Sequence, residues 1–139
     1  MGEDVMAEEI TPILVIDDDS DILGAMAAAL SHEGYQVIVA SNVATALTSI
    51  PAVTPAIVFL DYYLAGASPA EFVRTIRVRY PNLPIVLMTG ASDAAEKAKR
   101  VGLAFYLKKP FDMNILLEVV RKCMDRARTH HDVLLRSAS

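Results

Sequence analysis

A chain of 139 residues suits one domain with a real core, and a composition that is 53% hydrophobic but only 6% aromatic, without Trp, excludes a disordered segment and favours aliphatic packing. The formal net charge of −4 argues against a nucleic-acid binder, which carries a basic stripe. A single Cys excludes an internal disulfide, and no apolar run reaches membrane-spanning length, so a soluble, cytoplasmic domain with no membrane association is expected.

The first residues, MGEDVMAEEITP, are acidic, so no signal peptide is expected, and residues 1–10 read as an N-terminal tail. Residues 13–16, ILVI, read as a buried strand that runs straight into the acids of DDDSD, 17–21. A helix follows, with Ile22, Leu23, Met26, Ala27 and Leu30 at helical spacing, and Gly34 stops it. QVIVA, 36–40, is a second strand. Val43, Leu47 and Ile50 predict a short helix ended by Pro51. AIVFL, 56–60, is a third strand. The helix over 68–80 opens with Ser68 as N-cap, Pro69 at its first position and Glu71 two residues later, with Phe72, Val73 and Ile76 as its apolar face. IVLM, 85–88, is a fourth strand, 92–101 a weak polar helix, and FYL, 105–107, a fifth strand. Asp112 is placed to cap the last helix, whose stripe is Leu116, Val119, Val120, Cys123 and Met124. Residues 129–139 read as a C-terminal tail or helix extension.

Most of these strands are continuously apolar, as a parallel sheet covered on both faces requires. Five strands alternating with helices predict an α/β domain, a (βα)5 doubly wound parallel sheet over 11–128. Right-handed crossovers then bring the C-terminal ends of all strands to one edge, where such sheets form their sites.

The first strand delivers Asp17, Asp18 and Asp19 to that edge, the third Asp61, the fourth Thr89, and the fifth Lys108 and Lys109. Each residue alone has a plainer reading. Asp19 or Ser20 caps the next helix, Asp61 and Thr89 begin turns, and Lys109 is a solvated loop lysine. The four strand ends together are more specific. Clustered carboxylates raise one another's pKa unless a cation neutralises them, and a hard divalent ion such as Mg²⁺ suits one or two carboxylates plus phosphate oxygens. A metal, a lysine and a hydroxyl could hold the three oxygens of a phosphoryl group, with Asp61 as nucleophile.

ILVIDDD, IVFLDYYLAG, IVLMTG and YLKKPF, in this order, resemble the receiver domain of bacterial two-component response regulators. The resemblance covers about residues 11–128 and implies the flavodoxin-like, CheY-like fold with strand order 2-1-3-4-5. It implies that Asp61 accepts a phosphoryl group from the phosphohistidine of a sensor histidine kinase or a histidine phosphotransfer protein. Asp17, Asp18 and the backbone carbonyl of Tyr63 would hold Mg²⁺, Asp18 directly. Thr89 would bind the phosphoryl group, Lys109 would pair with Asp61 and then with the phosphoryl oxygens, and the Lys109–Pro110 bond would be cis. Strand alternation independently favours Lys109 over Lys108. Tyr106 matches the family's switch aromatic. The face built by the fourth helix, fifth strand and last helix would change its affinity for a downstream protein target. Such a domain assists its own phosphorylation and dephosphorylation but is not a conventional enzyme.

Three features depart from the family. LAGAS after Asp61 lacks the usual proline, which implies a looser loop. Tyr63 is bulky for a position that influences phosphoryl loss. Thr89 to Lys109 is a slightly short interval, and the deficit falls in the fourth helix, which leaves a homodimer through that face open.

Two alternatives stand. A pseudo-receiver would keep the fold as an interaction module without phosphorylation. A haloacid-dehalogenase-like phosphatase would use Asp17 as nucleophile and Asp19 as general acid, since ILVIDDDS fits that motif too, but it would leave Asp61 without a role. His130 and His131 read as solvated, Arg121, Lys122, Arg126 and Arg128 as a solvated helix end, and Cys123 as a buried thiol.

Overall fold

The computed structural model describes residues 12–138, with the side chains of the last helix described as far as Arg126. The N-terminal tail expected at 1–10 and the side chains of His130 and His131 lie outside the described residues.

The chain alternates β1 (Pro12–Ile16), α1 (Ser20–His32), β2 (Gln36–Ala40), α2 (Val43–Val53), β3 (Ile57–Asp61), α3 (Pro69–Arg79), β4 (Ile85–Thr89), α4 (Ala94–Arg100), β5 (Phe105–Lys108) and α5 (Met113–Ala138). All neighbouring strands are parallel, in the order β2-β1-β3-β4-β5. This is the expected doubly wound sheet. The last helix continues through the residues read as a tail or helix extension.

Strand alternation divides the continuous apolar runs between two cores. Leu14, Ile16, Val58, Leu60, Ile85 and Leu87 pack on one face with α2 and α3 residues such as Ile50, Phe72 and Ile76. Ile13, Val15, Ile57, Phe59, Val86 and Met88 pack on the other with Met26, Leu30, Leu116, Val120 and Cys123 of α1 and α5. Every residue of β3 and β4 is buried, whereas the outer strands β2 and β5 are partly exposed. Burial of one such aliphatic side chain contributes about 2 kcal/mol, so β3 and β4 form the rigid centre from which Asp61 and Thr89 project.

Helix ends follow their sequence signals. The Asp19 side chain accepts the Asp21 N–H at 2.9 Å, the Ser68 hydroxyl accepts the Glu71 N–H at 3.3 Å, and Asp112 accepts the Ile115 N–H at 2.9 Å. Gly34 leaves α1 at φ +94°, a conformation that glycine adopts without Cβ strain.

The second helix departs from expectation. Pro51 does not end it; the helix runs on to Val53 with Pro51 inside. Proline removes a single N–H here, and the ladder resumes beyond it, where the Thr54 N–H meets the Ile50 carbonyl at 2.8 Å. Leu47, expected on the buried stripe, is exposed; Ala46 and Ile50 form the buried face. The fourth helix is shorter than the expected 92–101, spanning Ala94–Arg100. Among the described residues no helix is long and apolar enough to cross a membrane.

Candidate functional site

The strand order sets β3 between β1 and β4, so the residues that end these strands meet at one edge. The register Asp61↔Met88↔Leu107 and Thr89↔Lys108 sets Thr89 one residue and Lys109 two residues beyond the level of Asp61 at that edge. The Lys109 N–H donates to the Thr89 carbonyl at 2.8 Å, which ties the lysine's backbone to β4 just past the strand. The Lys109–Pro110 bond is cis, as the resemblance implied.

Asp17 is fully buried, Asp61 is 6% exposed and Thr89 is 1% exposed. Such burial of carboxylates demands partners, and Lys109 supplies them. Its Nζ lies 2.8 Å from Asp17 Oδ2 and 3.1 Å from Asp61 Oδ1. Asp17 Oδ1 accepts the Asp19 N–H at 3.0 Å. Both Asp17 oxygens are therefore engaged. Asp18 is exposed beside them, and one oxygen each from Asp17, Asp18 and Asp61 lie within 4.8 Å of one another. The Thr89 hydroxyl accepts the Ala91 N–H at 3.2 Å, so it faces the loop after β4. Lys108 points the other way and is exposed, as strand alternation requires.

Electrostatics follow from burial. Desolvation raises the Asp61 pKa above the usual carboxylate range, and the Asp17 charge adds to this, while the Lys109 hydrogen bond and the Tyr63 backbone N–H pull it back only in part. For Lys109, burial opposes the ammonium, but its hydrogen bonds to Asp17 and Asp61 outweigh that and raise its pKa.

The donors fit a hard cation. Three carboxylates converge, two of them buried and drawn to a single lysine, and oxygen is the ligand type that magnesium takes. Asp17, Asp18 and Asp61 are the side chains that could hold it.

The remaining expected residues are Tyr63, two positions past Asp61, and Tyr106 on β5. Tyr63 is 62% exposed, and its ring meets Tyr62 edge to face at 4.8 Å and 78°. The loop bearing it turns at Gly66, φ +68°, and is pinned by buried Leu64. Tyr106 is 44% exposed on β5. Sequence reasoning missed two contacts: the Lys109–Asp17 ion pair, and Lys97 of α4, whose ammonium lies 5.2 Å from the centre of the Tyr62 ring. The first follows from alternation once the strand order is known. The second had no sequence signal.

The family model described as the response regulator receiver domain matches residues 13–121. Among curated proteins, the chain is 30% identical over 125 residues to the nitrogen assimilation regulatory protein NtrX of Azorhizobium caulinodans, covering 87% of this chain and 28% of that protein. It is 33% identical over 112 residues to the response regulator protein FleR of Pseudomonas aeruginosa, covering 79% and 24%. It thus spans only about a quarter of the length of these relatives. Sporulation initiation phosphotransferase F of Bacillus subtilis is 30% identical over 112 residues, which cover 79% of this chain and 90% of that protein. Among solved structures, the receiver domain of NtrX from Brucella abortus matches with a TM-score of 0.75 and 32% identity, over 81% of this chain and 98% of that one. On the match of the family model over most of its length, the chain belongs to the response regulator receiver domain family.

Proposed function

We propose that this chain is a phosphorylation switch of a two-component pathway, with Asp61 as phosphoacceptor. One observation carries the reading: Lys109 bridges Asp61 and Asp17, with the Asp18 carboxylate beside them. A carboxylate on a rigid central strand, drawn to a fixed cation, suits acceptance of a phosphoryl group, which needs positioning and charge neutralisation more than covalent machinery. The donor is a phosphohistidine on a sensor kinase or phosphotransfer protein. An Asp61 oxygen forms the new O–P bond as the P–N bond to the histidine breaks, and the electron pair returns to the imidazole nitrogen. Lys109 stays with the phosphoryl oxygens, and the Thr89 hydroxyl leaves the Ala91 N–H to bind one of them. When bound by Asp17, Asp18 and the Tyr63 carbonyl, magnesium would neutralise charge on the entering phosphoryl group.

The added charge shifts the domain between two packings, with Thr89 and Tyr106 moving together. The face of α4, β5 and α5 then changes its affinity for a downstream protein. The receiver unit is taken as residues 11–128, and its setting is the cytoplasm. The phosphatase alternative makes Asp17 the nucleophile and gives no role to Asp61, yet Asp61 shares the Lys109 ammonium with Asp17. The test is transfer from a phosphorylated histidine protein carrying labelled phosphate. Label should move to the wild type and not to Asp61→Asn. Label that moves to Asp61→Asn would overturn the assignment.

A further inference from the structure

The fourth helix is fastened to the loop that follows Asp61 by a contact with no counterpart in the chemistry above. Asp93 stands where an N-cap acid belongs, yet its side chain makes no capping hydrogen bond. Both of its oxygens instead take the Lys97 ammonium, at 3.0 Å each. That ammonium also lies 5.2 Å from the centre of the Tyr62 ring, within the range of a cation–π contact. Tyr62 directly follows Asp61, and its N–H is held by the Met88 carbonyl at 2.8 Å. Its ring packs on the core cluster and meets the Tyr63 ring edge to face. A lysine on an exposed helix ordinarily keeps its head in water, but the Lys97 side chain is only 13% exposed.

We infer that Lys97 is a positioning residue for the phosphoacceptor loop: fixed by Asp93, it clamps Tyr62 and makes the segment after Asp61 and the start of α4 one mechanical unit. The proposal rests on Asp61 being the phosphoacceptor. Its consequence is that loosening α4 slows chemistry at a carboxylate that Lys97 does not touch, because the backbone between Asp61 and Tyr63 loses one of its anchors.

The test has two arms. The first needs no ligand: amide hydrogen exchange of Ala98, Lys99 and Arg100 in the wild type, Tyr62→Leu, Lys97→Met and the double variant. Each single change should speed exchange of these amides severalfold, and the double variant should be no faster than the faster single. Multiplying effects would overturn the clamp, whether or not the chain is ever phosphorylated. The second arm is the rate of Mg²⁺-dependent phosphoryl uptake from acetyl phosphate. Lys97→Met should slow it roughly three- to tenfold, Lys97→Arg should restore most of it, and Lys99→Met, on the same helix but exposed, should leave it unchanged. Equal rates for the wild type and Lys97→Met would sink the positioning role. No uptake by the wild type would count against Asp61 as acceptor and with it the positioning role, while the exchange arm would still decide the clamp itself.

Discussion

The Lys109 ammonium lies closer to Asp17, at 2.8 Å, than to Asp61, at 3.1 Å. The lysine is thus shared between the acid proposed to accept phosphate and an acid proposed to hold metal. It offsets the repulsion that would otherwise build up at the end of β1 and β3.

Removing that cation leaves two buried carboxylates facing each other. Lys109→Met should lower stability at pH 7 without metal by about 2 kcal/mol, measured by urea unfolding. The raised Lys109 pKa gives the pH dependence: the wild-type contribution is fully present below the unfolded lysine value and lost as pH rises through the folded one. An Lys109→Met variant as stable as wild type would show that the bridge contributes nothing.

Asp61 has the opposite sign. Its pKa is raised, chiefly by desolvation, so the folded state binds its proton more tightly than the unfolded state does. Ionisation of Asp61 therefore costs stability, and the cost appears as pH rises from the unfolded value through the folded one. At neutral pH and without metal, Asp61→Asn should be more stable than wild type by on the order of 1 kcal/mol. Near pH 3 the two should converge. A wild type that is more stable than Asp61→Asn at pH 7 would contradict this.

Cys123 is fully buried, and burial pushes its thiol up to about 12. At pH 8 the folded protein should react with a thiol reagent at least about a hundredfold more slowly than the protein in urea. Rapid reaction of the native protein would place Cys123 at an accessible position.

Thr54 ends α2 at φ +48°, a left-handed conformation costly for a β-branched residue, and its side chain is exposed. Thr54→Gly should raise stability by about 0.5–1 kcal/mol in thermal or urea unfolding. A loss of stability would mean that the extra backbone freedom of glycine in the unfolded chain outweighs the relief.

The architecture was readable because buried parallel strands are continuously apolar and end abruptly: ILVI stops at Asp17 and FYL just before the two lysines. Asp61, Thr89 and Lys109 can be picked out because residues at or just past the C-terminal ends of the strands reach the edge. Pro51 does not end its helix, for a physical reason. Proline near the end of a helix removes one hydrogen bond, and burial of Ile50 together with the Thr54 N–H bond outweighs it. Leu47 misled because helical spacing alone does not say which of two adjacent stripes faces the sheet. The Lys97–Tyr62 contact joins residues 35 positions apart on different elements, and an Asp followed four residues later by Lys reads as an ordinary surface pair. The Lys109–Asp17 pair spans 92 positions and became visible only once β1 and β3 were adjacent.

The most direct test is intact mass after treatment with a small phosphodonor, with and without Mg²⁺, on wild type, Asp61→Asn and Asp17→Asn. A single phosphoryl addition to the wild type that needs Mg²⁺ and is absent from Asp61→Asn is the predicted result. Addition that persists in Asp61→Asn and disappears in Asp17→Asn would contradict the assignment of Asp61 and return the nucleophile to β1.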